Sequence, residues 1–231
     1  MSKTLKIAAL AISILIAGCS TNPVGTDSAS AASMNAGFLS NYSNLRPVEG
    51  KEGIQRYIDR SRDVRRFSKL YIDPVQVFIS NDPESYKGVQ PDVLKRMADS
   101  FRTEFVNVVQ NDYQIVNAPG PDVVRIRLAI TGVQPVSPPL SVTDFIPIKA
   151  VFNAGRAAVG ATPRVAEISA EIEVLDSQGR PVAAAVANRK SDKTLPQNDR
   201  VTWDDLKPIV GSWARQFRQS LDEVRGTPAP R

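Results

Sequence analysis

The stretch RVAEISAEIEVLDSQGRPVAAAVANRKS (164–191) decides the fold class. Ala166, Ile168, Ala170, Ile172 and Val174 fall on one side of an extended chain, and Glu167, Ser169, Glu171 and Glu173 on the other. Period two over that length is the signature of a strand with one face against a core. SQGR (177–180) holds a glycine where a hairpin turns, and residues 181–191 return as the partner strand. Working outward, DVVRIRLAITGVQPV (122–136) repeats the alternation. Val124, Ile126, Leu128 and Ile130 face one way, and Arg125 and Arg127 the other.

KLYIDPVQVFIS (69–80) reads as a further strand, with Pro74 marking an edge or a bulge because it has no N–H for a ladder. Tyr113 to Val116 forms a short one ahead of the turn-rich NAPGPD (117–122). Two segments carry helical stripes instead. Residues 91–110 place Leu94, Met97, Phe101, Phe105 and Val108 at three- and four-residue steps. Residues 203–224 do the same with Leu206, Val210, Trp213, Phe217 and Leu221, after a Thr202/Asp205 capping pair. The expected architecture is α+β. It is a two-layer sandwich, with a mixed or mostly antiparallel sheet of about five strands and two long amphipathic helices on one face.

The chain has 231 residues, 29 Lys and Arg against 24 Asp and Glu, one cysteine and no histidine. The missing imidazole excludes Ser-His-Asp and Cys-His nucleophiles and His-ligated zinc. Carboxylate pairs, Ser-Lys dyads and oxygen-ligand metal sites stay open to an enzyme, and none has a recognisable spacing. No catalytic residue, metal site or cofactor is therefore expected. No Lys/Arg stripe suggests nucleic acid as a partner.

Lys3 and Lys6 precede the apolar residues 7–16 and the small pair Ala17-Gly18, which is the pattern of a secretory signal. Its end, ILIAGC, resembles the bacterial lipoprotein box. The resemblance implies cleavage after Gly18 and a palmitate-type acyl anchor on Cys19. Ser20, in place of an aspartate, implies sorting to the outer membrane with the domain on its periplasmic face. A single acyl chain holds weakly at about 0.8 kcal/mol per buried methylene, whereas two or three hold firmly.

The expected division is a cleaved signal at 1–18, acylated Cys19 and a flexible tether to 36, and an arm at 37–66. A single α+β domain at 67–225 and a disordered tail at 226–231 complete it. Small polar residues make the tether a coil spanning about 20–25 Å on average. The arm shows no clean period, and Phe38, Leu39, Tyr42 and Leu45 are its pins onto the domain.

Two candidate sites remain. Arg125, Arg127, Glu171 and Glu173 share the outward sheet face, where the arginines can grip a carboxylate or phosphate, or be neutralised by the glutamates across neighbouring strands. Residues 145–160, with Ile148, Lys149, Phe152 and Arg156, form a basic amphipathic segment suited to lipid headgroups, to an envelope protein or to the domain's own sheet.

The stretches GFLSNYSNLRPV (37–48), YIDPVQVFIS (71–80), NAPGPDVVRIRLAITGV (117–133) and EISAEIEVLDSQGRPVAAAV (167–186) resemble the bacterial lipoproteins grouped as domain of unknown function 3313. That resemblance implies an envelope lipoprotein and brings no reaction, cofactor or catalytic residue. The functional expectation is a non-enzymatic interaction or accessory protein of the envelope. The alternative is a binding module for an anionic envelope ligand using the Arg125/Arg127 face.

Overall fold

The computed structural model describes residues 35–62, 67–78, 89, 91–136, 164–196 and 200–225. Strands β7 (Val165–Leu175) and β8 (Pro181–Thr194) pair antiparallel through the expected hairpin. Gly179 turns it at φ 75°, where a side chain would be strained, and the Asp176 carboxylate accepts the backbone N–H of Gln178 and Arg180.

On the other side of β7 lies β6 (Val123–Val136), antiparallel and with a register shift between Ile130 and Gly132. Beyond it, β3 (Lys69–Ile72) and β4 (Gln76–Val77) run parallel to β6, and β5 (Gln114–Ile115) runs parallel to β3. Beyond β8 come β2 (Lys51–Ile58) and then β1 (Arg46–Val48), both antiparallel. The order is β1-β2-β8-β7-β6-β3-β5, with β4 also against β6.

The fold is mixed α+β, and its described sheet has eight strands where the sequence suggests five. Two of the extra strands, β1 and β2, lie in the stretch expected to be a loose arm. The third arises at Pro74. Ile72 pairs with Ile126 and Gln76 with Ala129, so four residues are set against three and the strand breaks into β3 and β4. Gly53 permits a close crossing of β2 and β8: at φ 72°, any Cβ there would lie 2.2 Å from the Asn188 carbonyl oxygen.

Helix α1 (Pro91–Val109) buries Met97, Phe101, Phe105 and Val109. Helix α2 (Trp203–Arg225) starts where Asp205 accepts hydrogen bonds from the Thr202 N–H and hydroxyl, the expected capping pair. The two stripes meet through rings. Phe101 stacks on Phe105 at 5.2 Å, Phe105 lies 5.4 Å from Phe217, and Phe101 lies 6.4 Å from Trp213. Ile126, Leu128, Ile130, Ile168 and Val174 share one apolar core with these helices. A second, smaller core lies on the opposite sheet face, where Phe38, Leu39 and Leu45 pack on Ala129, Ala184 and Val186.

Candidate functional site

The outward face of β6 and β7 does bring Arg125, Arg127, Glu171 and Glu173 together, but it is closed over the two glutamates, while Arg125 keeps 41% of its side chain exposed at the end of the face. Residues 36–42 lie across it, and the chain's own backbone satisfies the acids. Glu171 accepts the Ala36 N–H at 2.9 Å, the Leu39 N–H at 3.3 Å and the Tyr42 hydroxyl at 2.5 Å. Glu173 accepts the Ser40 N–H at 2.9 Å and the Arg127 guanidinium at 2.5 Å. Both glutamates are 1% exposed. The Tyr42 oxygen also accepts the N–H of Gly37 and Leu39, which ties the turn to itself.

Aromatic packing completes the latch. Phe38 meets Phe78 edge-on at 5.9 Å, and the Arg127 guanidinium lies 4.6 Å from the centre of the Phe38 ring. Burial pushes the Glu171 carboxyl above its ordinary range, against the Tyr42 hydroxyl and the arm's amides, which pull it down. Burial and the bond to Glu171 push the Tyr42 phenol up as well.

This corrects the expectation of an open charged face. Arg127 does pair with Glu173, but Arg125 pairs with Asp73, through a two-pronged contact of 2.7–3.1 Å. Asp73 sits in the break that Pro74 makes, so the bulge aims a carboxylate at β6. Among the described residues Glu171 engages no arginine. An anionic ligand at Arg125 and Arg127 would have to displace two carboxylates that are already bonded, and at Arg127 the Phe38 ring as well. Cys19, Ser20, Ile148, Lys149, Phe152 and Arg156 lie outside the described residues. Among the described residues no cluster of acids or cysteine is placed to hold a metal ion. None of the described helices is long and apolar enough to cross a membrane.

The helix-side face holds a feature the sequence reading missed. Antiparallel register sets Ile54, Arg56 and Ile58 of β2 opposite Ala187, Ala185 and Ala183 of β8. Three alanines in a row leave space that larger aliphatic residues would fill. The result is an apolar cavity of about 170 Å³ beneath α2. Leu70, Phe101, Phe105, Val124 and Leu128 are its buried lining, while Val48, Lys51, Arg56, Gln216 and Ser220 border it where the surface is accessible. Ile172 stays half-buried in the middle of β7 because it looks into this space. The signal was an arginine between two isoleucines at two-residue spacing, facing an alanine run.

The sequence pattern described as Protein of unknown function (DUF3313) matches residues 34–217, from the start of the latch into α2. The chain belongs to the DUF3313 family. The uncharacterized lipoprotein YdcL of Escherichia coli K12 is 23% identical over 212 residues, which cover 90% of this chain and 92% of YdcL. Solved structures give lower similarity to this DUF3313 chain. The PelC dodecamer from Paraburkholderia phytofirmans has a TM-score of 0.34 at 10% identity, covering 76% of this chain and 98% of PelC. Protein XCC0632 from Xanthomonas campestris has a TM-score of 0.36 at 13% identity, with 67% and 87% covered. Lipoprotein GNA1162 from Neisseria meningitidis has a TM-score of 0.31 at 8% identity, with 68% and 99% covered.

Proposed function

We propose that this DUF3313 chain is a lipoprotein held by acyl chains on Cys19 at the periplasmic face of the outer membrane. It acts there as a non-enzymatic interaction or accessory protein of the envelope. The observation that carries the reading is the box ILIAGC ending at Cys19, followed by Ser20, a short polar tether and the family domain. The lipoprotein name of YdcL, which aligns along almost its whole length, supports it.

The latch adds a physical reason. A pull on an acyl anchor travels along the tether to Ala36, whose N–H is bonded to a carboxylate in the central strand β7. The load passes directly into the sheet, so the domain is held at a fixed point of its surface. The buried carboxylates Glu171 and Glu173 are bonded into this contact, which favours a non-enzymatic role. Residues 145–160, with Ile148, Lys149, Phe152 and Arg156, are proposed as the contact to lipid headgroups or to an envelope protein.

Mass spectrometry of the amino-terminal peptide tests the anchor. An acylated Cys19 in the outer-membrane fraction is expected, lost in Cys19→Ser. An unmodified thiol, or a protein that partitions as freely soluble, overturns the reading. Crosslinking in cells through residues 145–160 is expected to capture a defined envelope partner or lipid.

A further inference from the structure

We propose that the cavity beneath α2 binds the alkyl chain of a single-chain anionic amphiphile, whose head is held at the mouth by Arg56. This goes beyond the anchoring reading and stands without it. Size limits the guest. At about 170 Å³ the space is close to the ~150 Å³ apolar cavities that take benzene. It falls short of the ~300–1,000 Å³ of sites for larger ligands. The inner part of one chain fits, with the rest lying along the open mouth, and the paired tails of a two-chain lipid do not.

Chemistry limits it further. Leu70, Phe101, Phe105 and Leu128 offer water none of the two to four hydrogen bonds it needs, so the part of the space they line favours hydrocarbon. The mouth is cationic. Arg56 lies half-buried between Ile54 and Ile58, and its hydrogen-bond partner is the neutral Ser220 hydroxyl at 3.1 Å. Neither Arg56 nor Lys51 makes an ion pair among the described residues. Asp59, on the same border, is taken by Arg62 at 3.1 Å. A half-buried guanidinium without a counter-ion is an unfavourable arrangement that an anionic head would relieve. An alkyl tail entering beside it would run along Ala185 and Ala183 toward Phe101 and Phe105.

The test titrates the mature chain carrying Cys19→Ser and Trp203→Phe with dodecanoate below its micellar concentration. Trp213, which lines the cavity, reports by its emission, and calorimetry gives the stoichiometry. Saturable one-to-one binding is expected. Arg56→Gln is expected to weaken dodecanoate about tenfold, the loss of one charge-assisted hydrogen bond, and to leave dodecanol unchanged. Ala185→Phe is expected to abolish binding of both, and Ala183→Leu supplies a gentler filling should the larger ring disturb folding. Preference for dodecanoate over dodecyl phosphate, or the reverse, names the head group, and either supports the site. No saturable binding, unchanged affinity in both filled variants, or equal affinity for dodecyltrimethylammonium overturns the proposal. So does binding that appears only after residues 145–160 are replaced by a Gly/Ser linker, since that segment would then be the natural occupant.

Discussion

Strands β7 and β8 face two surroundings, and the two are finished to different degrees. On the arm side, Glu171 and Glu173 are closed over, with donors brought from Ala36, Leu39, Ser40, Tyr42 and Arg127. On the helix side, their neighbours Ile172 and Ala185 border a space that nothing among the described residues fills. The difference follows from what each face buries. A carboxylate removed from water is strongly unfavourable until every lone pair is met, so a polar face has to be completed. An apolar face can be left part-filled at the cost of some dispersion and transfer energy. One face is therefore committed to its own chain, and the other keeps a space that no described residue fills.

Removing atoms should then be severe on the closed face. Glu173→Ala leaves Arg127 and the Ser40 N–H without their acceptor. It is expected to lower unfolding free energy in urea by about 3 kcal/mol. A loss below about 0.5 kcal/mol, the level of an ordinary surface change, would mean that the latch does not hold the arm. Tyr42→Phe is the finer version. It deletes one oxygen that bonds Glu171, Gly37 and Leu39, and about 1.5 kcal/mol should go with it. Faster amide exchange at Gly37 and Leu39, with the helices unaffected, would localise that loss to the turn.

Much of the frame was legible beforehand, and the reason differs from element to element. The alternation in 165–175 and the stripes of α1 and α2 are side-chain patterns, and side chains are what a sequence displays. The sharing of one face by Arg125, Arg127, Glu171 and Glu173 followed from the same period. What covers that face did not, because the covering groups are backbone N–H donors that every residue carries. The hydrophobic pins Phe38, Leu39 and Leu45 were visible, whereas their destination was not. Strand β2 was missed for another reason. Its inward row, Ile54-Arg56-Ile58, interrupts two apolar residues with a charge, and Gly53 breaks the strand pattern from within. The residue that hides the strand is also the one that gives the cavity its charge.

Adding atoms should be tolerated on the open face. Ala185→Leu places its branch where β8 leaves space, and is expected to raise unfolding free energy by about 1 kcal/mol in the absence of ligand. In a fully packed core the same change costs about 1–3 kcal/mol. A loss of that size would show that the helix-side face is as complete as the other, and the contrast between them would collapse. Calorimetric melting of both proteins separates the outcomes.

The smallest effect concerns protons. Among the described residues Glu171 is the acid whose folded state favours the proton more than its ordinary value of 4.5, because burial outweighs the donors of the arm. A carboxyl raised in this way adds stability that is fully present below its unfolded value, and that stability is lost as pH rises through the folded value. Asp59, Asp122 and Asp176 are shifted the other way, and their contributions are lost in acid. Raw stability curves therefore mix the two signs. Subtracting Glu171→Gln from the native protein removes the shared carboxylates and leaves Glu171. That difference should grow as pH falls through the raised folded value toward 4.5 and level off below it. A flat difference would mean that Glu171 gives up its proton as easily under the latch as in water, and the closed face would then cost its charges nothing.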